Sequence, residues 1–427
     1  MFIAFVVAYA FVLVATLAFA RLNLSYQRAH GARVPPELEG VVEPERLVPI
    51  EAYTQERARF GMFERAASGI VVGASLFAGP FGAYDRFVGG LVPQPILHGV
   101  VFILGLMLLS AFAGLPFSYY RSFVIEARHG FNRSSKSLFF TDWAKGTLLS
   151  LLFVAALASV AFWLIGALPG SWWLWVWLAF VAFSLFLTFA SPYLIEPLFF
   201  RMRPLEVPGL ADEVRALAER ARVHVGRVLE MDASRRSAHS NAYFTGLGRV
   251  KRVVLFDTLL AQMTHAEILA VLAHELGHWK KRHVLVRTLA GFALSLGVAY
   301  VAFRAVSAPF VPGLVGLADA SLPARFVVLG VLASVFTFPL TPLGSAWSRH
   351  DEWQADAFAV ELAGCAPALA SALAKLAREN LSNLHPHPLY ARFYYSHPPV
   401  TERIRKLRRL ALGSPPASGM LVGPAGA

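Results

Sequence analysis

The chain has 427 residues, 56% of them hydrophobic and 15% charged, with a formal net charge of +12. A soluble globular protein carries about 25% charged residues, so much of this length belongs in lipid. The basic excess is spread through the segments between apolar runs, which argues against a nucleic-acid partner and matches how membrane proteins distribute Lys and Arg.

Residues 2–20 run without a charge, long enough to cross about 30 Å of hydrocarbon at ~1.5 Å per residue. Ala18-Phe-Ala20 resembles a signal cleavage site, but no basic residue precedes the run, so a retained span is expected. Apolar runs at 67–84, 97–118, 147–168, 171–195, 284–306 and 325–346 bring the expected spans to seven, the second interrupted by Gly and Pro. The connecting segments differ in charge. Segment 21–66 carries seven arginines, and 119–146 carries Arg121, Arg128, Arg133, Lys136 and Lys145. Segment 197–283 is richer still, whereas 85–96 has Arg86 alone and 304–325 has only Arg304 and Arg325 at its edges. By the positive-inside rule this alternation predicts an outside N-terminus and a cytoplasmic C-terminus. Dropping the second span would break it.

Between the fifth and sixth spans the pattern changes. Arg227–Met231, Asn241–Thr245 and Arg252–Phe256 read as short strands, with Gly246 and Gly248 as turn residues between the last two. A helix follows from about residue 265, opened by a capping box of Thr264 and Glu267, with Ile268, Leu269, Leu272 and Leu276 on its apolar face. It carries His274-Glu275-Leu276-Gly277-His278, an H-E-x-x-H pattern. Positions i and i+4 lie one turn apart on one helix face, so both imidazoles can reach a single Zn²⁺. Glu275 sits on an adjacent ridge, where it can deprotonate a water without being a ligand.

A catalytic zinc needs a third protein ligand. The extended pattern ending in x-x-G-x-x-H would require His at 284, where the chain has Val284. Directly after the seventh span comes Ser348-Arg-His-Asp-Glu352-Trp-Gln-Ala-Asp356, in which Glu352 and Asp356 share one helix face. That spacing suits one carboxylate on zinc and one orienting a ligand histidine. It also suits a solvated acidic face at a helix N-terminus, and Asp351 and His350 rival Glu352 as the ligand. His283, beside Lys280-Lys281-Arg282, is expected to point elsewhere, at the membrane interface. Cys365 is the one cysteine, which excludes an internal disulfide and leaves it a packing role.

With these residues in place, the chain resembles the integral-membrane type I CAAX prenyl endopeptidases, zinc metallopeptidases of the gluzincin kind. The resemblance runs from about Tyr53 to Leu407 through segments in shared order. They are Arg59-Phe-Gly61, Leu115-Pro-Phe-Ser118, Phe123-Val-Ile-Glu126, His129-Gly-Phe-Asn132, Ser237-Ala-His-Ser-Asn-Ala-Tyr-Phe244, Val254-Leu-Phe-Asp-Thr-Leu-Leu260, the His-Glu-Leu-Gly-His core, Glu352-Trp-Gln-Ala-Asp-Ala-Phe-Ala359 and Tyr395-Ser-His-Pro-Pro399. Trp353 departs from the Phe common beside the ligand.

The resemblance implies a mainly α membrane protein, seven transmembrane helices around a chamber, with a zincin-like α/β catalytic part of an H-E-x-x-H helix and a small sheet. It implies Glu352 as third zinc ligand and Asp356 as the partner of a ligand histidine. It places Asn241 and His397 near the substrate, while His239, His385 and His387 are bystanders. The expected division is 1–200 (spans one to five), 201–283 (catalytic segment), 284–346 (spans six and seven), 347–412 (third-ligand helix and cap) and 413–427 (disordered tail).

The expected activity is peptide-bond hydrolysis with Zn²⁺ as cofactor, in a bacterial inner membrane with the site towards the cytoplasm. Substrates are peptides or proteins, prenylated or membrane-associated; a bacterial source without prenylation puts the prenyl group in doubt. A quality-control metalloprotease without prenyl specificity is the alternative enzyme. The five apolar runs before residue 200 are more than such proteins carry. A site-2-type protease is excluded by the absence of any Asp-Gly dipeptide. A silent scaffold or transporter is the alternative of another class, disfavoured because the spans hold few ionisable residues.

Overall fold

The computed structural model describes residues 1–245 and 251–413. The expected turn glycines Gly246 and Gly248 and the expected disordered tail lie outside the described residues. In chain order the first helices are α1 Phe2–His30, α2 Pro44–Phe77, α3 Pro80–Leu91, α4 Pro95–Tyr120, α5 Lys136–Ala167 and α6 Trp172–Ala190. The short α7 Glu196–Phe199 leads to β1 Met202–Pro204, α8 Leu210–Arg220, β2 Val225–Met231, β3 Ala242–Thr245 and β4 Lys251–Phe256. Then come α9 Asp257–Gln262, α10 His265–Lys280, α11 His283–Val306, α12 Phe310–Gly313, α13 Leu322–Thr337 and α14 Thr341–Ala363. The chain closes with α15 Ala366–Glu379, α16 Pro388–Tyr394 and α17 Val400–Gly413.

Among the described residues, seven helical segments are long and apolar enough to cross a membrane: Phe2–His30, Pro44–Phe77, Pro95–Glu126, Lys136–Ala167, Trp172–Phe199, His283–Val306 and Leu322–Ala363. Two differ from the apolar runs in an instructive way. The second span was expected at 67–84, but its helix ends at Phe77 because Gly79 takes a left-handed φ of 103° and Pro80 opens α3. Proline lacks an N–H and glycine tolerates positive φ, so the pair ends one helix and starts the next. The seventh segment does not stop near 346. It continues through α14 to Ala363, so Glu352 and Asp356 stand on the helix that extends the span.

The chain divides into two compact units. The first comprises Met1–Ser25, Gln55–Phe199 and Leu285–Pro342. Its packed core gathers Phe5, Leu76, Phe81, Val88, Phe102, Val311 and Val328. Buried Asp85 accepts hydrogen bonds from the Ser321 amide and hydroxyl, tying α3 to the N-terminus of α13. Across the seven segments, no more than 17% of the apolar window of any one is buried. Helices with one face towards lipid leave that face uncovered by protein, which accounts for the sparse burial.

The second unit comprises Tyr26–Thr54, Phe200–Val284 and the described residues from Leu343. Its four-stranded sheet has the order β1-β2-β4-β3, with β2 and β4 parallel and the two outer pairs antiparallel. The strands at 227–231, 241–245 and 252–256 were legible; β1 was not, being three residues long with a proline. Val253, Val254 and Leu255 are fully buried, so β4 is the apolar centre of the sheet. From it the chain passes through α9 directly into α10.

Candidate metal centre

Helix α10 is anchored at its start. Thr264 and Glu267 form the expected capping box, and Glu267 also accepts hydrogen bonds from Ser371 (2.6 Å) and Lys375 (2.7 Å) of α15. Ile268, Leu272 and Leu276 are buried, which sets the rotation of the helix and turns His274, Glu275 and His278 towards the site. Gly277 then lets α14 come close. A Cβ there would stand 2.9 Å from the Ala355 Cα and 3.0 Å from its carbonyl oxygen, tighter than side chains allow. This close approach is why the second variable position of the motif holds glycine.

The approach brings α14 within reach of both histidines. Glu352 Oε2 lies 3.4 Å from His274 Nε2, and Glu352 Oε1 lies 3.3 Å from His278 Nε2. His274 Nε2 and His278 Nε2 are 3.2 Å apart. The three side chains offer ligand atoms all within 4.8 Å of one another. Asp351 and His350 do not join them: Asp351 lies 3.8 Å from His283, and His350 meets Gln354 at 2.7 Å.

Asp356 takes the other side of His274, with Oδ1 2.8 Å from Nδ1. Its partner is Arg403 of α17, which sequence reasoning missed. Arg403 donates to Asp356 Oδ1 at 2.6 Å and Oδ2 at 3.0 Å, and its Nη1 lies 3.4 Å from Glu352 Oε2. The signal was present: Arg403 lies six residues beyond His397, near the start of a helix whose other basic residues face solvent. His283 is a correction. It is buried rather than interfacial, with Nδ1 3.0 Å from His278 Nδ1 and Nε2 3.2 Å from Gln354 Oε1. Arg282, at φ 59°, breaks the helical path between α10 and α11 and turns His283 back towards the site.

These residues fit a divalent cation. Glu352 Oε2 is buried without a hydrogen-bond partner among the described residues. Three carboxylates, Glu275, Glu352 and Asp356, face a single guanidinium, an acidic excess that suits a bound cation. Proton affinities follow from the same field. Burial works against a charged His274 ring, yet the Asp356 and Glu352 carboxylates push it up to about 9. Burial, helped by the neighbouring Glu352 charge, pushes the Glu275 carboxyl above its usual range.

A cavity of about 120 Å³ opens on this cluster, and Asn241, His274, Glu275, His397 and Arg403 are among its lining residues. Leu259, Val271, Leu369, Leu373 and Leu376 supply its apolar wall. The structure therefore brings all seven expected site residues to one place. His397 is exposed, with Nε2 3.2 Å from Glu352 Oε1. Its segment is held by Arg349 of α14, which donates to the Tyr395 carbonyl at 2.7 Å. Asn241 precedes β3, which among the described residues pairs with β4 alone and so stands at the edge of the sheet. The Asn241 side-chain oxygen accepts the Ala242 amide at 2.9 Å, leaving its NH₂ to offer a ligand. A second cavity of about 340 Å³ shares Leu373, Leu376, His397 and Arg403 with the first and is also lined by Tyr395 and Asn380. His239, His385 and His387 line neither cavity.

Comparison with known proteins agrees over nearly the whole chain. Residues 23–201 match the family described as CAAX prenyl protease N-terminal, five membrane helices, and residues 204–411 match peptidase family M48. A protein of Arabidopsis thaliana named CAAX prenyl protease 1 homolog is 34% identical over 394 residues, 88% of this chain and 90% of that protein. An uncharacterized metalloprotease of Bacillus subtilis is 34% identical over 75% of each chain. The crystal structure of S. mikatae Ste24p superposes with a TM-score of 0.83 at 28% identity, covering 94% of this chain and 98% of that one.

Proposed function

The chain belongs to peptidase family M48, preceded by a CAAX prenyl protease N-terminal part, and from that premise we propose how its residues cut a peptide bond. It is a multi-pass membrane metalloprotease acting on peptides or proteins. We assign the metal to His274, His278 and Glu352 and name zinc as the ion, because two imidazoles and a carboxylate are a zinc-hydrolase donor set. When bound, the ion supplies Lewis acidity at the scissile carbonyl and makes a water more acidic.

Glu275 lines the cavity together with the ligand His274. As general base it takes the proton from the attacking water and then hands it to the leaving amine. Its desolvation, which raises the carboxyl's proton affinity, suits both halves of that shuttle. Asp356 accepts a hydrogen bond from His274 Nδ1–H, which fixes the tautomer that leaves the Nε2 lone pair for the metal. Arg403 locks Asp356 in place by two hydrogen bonds. His397 stabilises the developing oxyanion, and Asn241 with the open edge of β3 holds an extended substrate backbone.

The substrates in this reading are prenylated or membrane-associated peptides. Support comes from relatives named CAAX prenyl protease 1 that match over about nine-tenths of both chains. The loop-charge alternation supports an outside N-terminus and a site towards the cytoplasm. The Bacillus subtilis relative, named only a metalloprotease, favours a second reading in which the prenyl group is not required.

The triangle of His274, His278 and Glu352 with Glu275 beside it carries the conclusion. Glu275→Gln should keep its metal and lose roughly 10²–10⁴-fold in cleavage rate, read by initial rates beside elemental analysis. Full activity in that variant would sink the mechanism. Farnesylated and unprenylated forms of one peptide separate the two substrate readings: equal cleavage removes the prenyl requirement.

A further inference from the structure

At the C-terminal end of α10, away from the residues of the metal centre, lies a cavity of about 460 Å³ lined by Arg222, Val223, His224, Lys251, Trp279, Lys280 and Arg282. Four of these seven residues are arginine or lysine, and none is acidic. Among the described residues Arg222, Lys280 and Arg282 have no ion-pair partner. Lys251 Nζ sits 3.6 Å from the centre of the Trp279 ring, and burial lowers its proton affinity.

One account of these cations is that they cap helix ends. Helices α8 and α10 both finish here, and Lys280 Nζ reaches the Ala221 carbonyl at 3.3 Å. Each helix C-terminus carries about half a negative charge. Two such ends neutralise roughly one of the four cations, so about three positive charges remain for something else. The backbone points the same way. Arg222 (φ 56°) and Arg282 (φ 59°) both occupy the left-handed position that follows a helix, where glycine is the low-strain choice. Two arginines at two such positions, lining one cavity, place cations where the fold would prefer no side chain.

We propose that this cavity binds a phosphate group. Two guanidiniums and two ammoniums match a phosphate's charge and its three acceptor oxygens, and arginine forks suit that geometry. The chain position suggests the source. Arg282 is the residue before the span His283–Val306, and Val284, Leu285 and Val286 that follow are exposed apolar side chains. Cations at this boundary lie at the depth of phospholipid headgroups. The proposal does not rest on the metal centre or on its chemistry.

The test uses the full chain carrying Glu275→Gln, so that catalysis plays no part. Retention of phosphatidic acid is measured by native mass spectrometry, with and without competing inorganic phosphate. The double variant Arg222→Gly and Arg282→Gly removes two cations while suiting both left-handed positions, so it should fold. Its affinity for phosphatidic acid should fall roughly thirtyfold. Arg409→Gln, an exposed charge loss on α17, should leave affinity within about twofold. Lipid retention that inorganic phosphate does not displace assigns the site to a headgroup; displacement assigns it to a soluble phosphate, and both support the site. Equal affinity in the double variant and the parent overturns it, as does an equal loss in Arg409→Gln.

Discussion

Helices α10 and α11 follow one another with two residues between them, yet they answer to different solvents. Half of the sixteen residues of α10 are buried, including Leu272, Leu276 and the ligand His274. None of the apolar window of α11 is buried. In α10 the apolar residues seek a protein core, so each has one neighbour it must fit. In α11, Phe292, Tyr300 and Phe303 touch rings of α6, but Leu289, Leu294, Val298 and Val301 are exposed to lipid, which fits any apolar shape. Hydropathy therefore reads α11 completely, whereas α10 carries information that only its neighbours reveal.

Substitutions sharpen that contrast. The largest effect is expected at Arg403→Met, which strands Asp356 and Glu352 as buried carboxylates: stability should fall by about 3–5 kcal/mol, and metal affinity by roughly 10–100-fold. Chemical denaturation and metal titration measure the two losses. Gly277→Val puts a side chain against the Ala355 backbone and should cost about 1–3 kcal/mol. A melting curve matching the parent would mean that α10 and α14 do not meet there.

A smaller effect belongs to Glu267. Burial pushes its carboxyl up, but hydrogen bonds from Lys375, Ser371 and Thr264 hold it below the usual range. A lowered folded value means stability that is present above about pH 4.3 and is lost as pH falls through the folded value. Glu267→Gln should be less stable at neutral pH by roughly 1 kcal/mol and show a flatter acid limb in melts between neutral and acid pH. The smallest effect is expected at Leu294→Val on α11, 73% exposed, which should change stability by less than about 0.5 kcal/mol. A loss there as large as that of Gly277→Val would break the comparison, because it would show α11 packed on protein.

The motif pair shows how far local sequence reaches. His274 and His278 share a face because the helical period says so, and Thr264 with Glu267 announces the start of that helix. Glu352 and Asp356 were legible as a pair for the same reason. Which of Glu352, Asp351 and His350 meets the histidines was not, because that depends on the rotation of α14 against α10. The rotation follows from Gly277 and Ala355, whose contact spans 78 residues of chain. His283 was misjudged because a straight helix was assumed past Lys281, where the backbone turns at Arg282.

What the sequence determined by itself is whatever depends on period and solvent: seven apolar segments, the metal-type helix, its cap and the apolar strands. Only the tertiary structure decided that α14 meets α10, that Arg403 closes on Asp356 and that His397 reaches Glu352. Those contacts join residues 45 to 78 positions apart. No local rule fixes such pairs, since they form only once helices have packed, and packing is settled by the summed fit of many side chains.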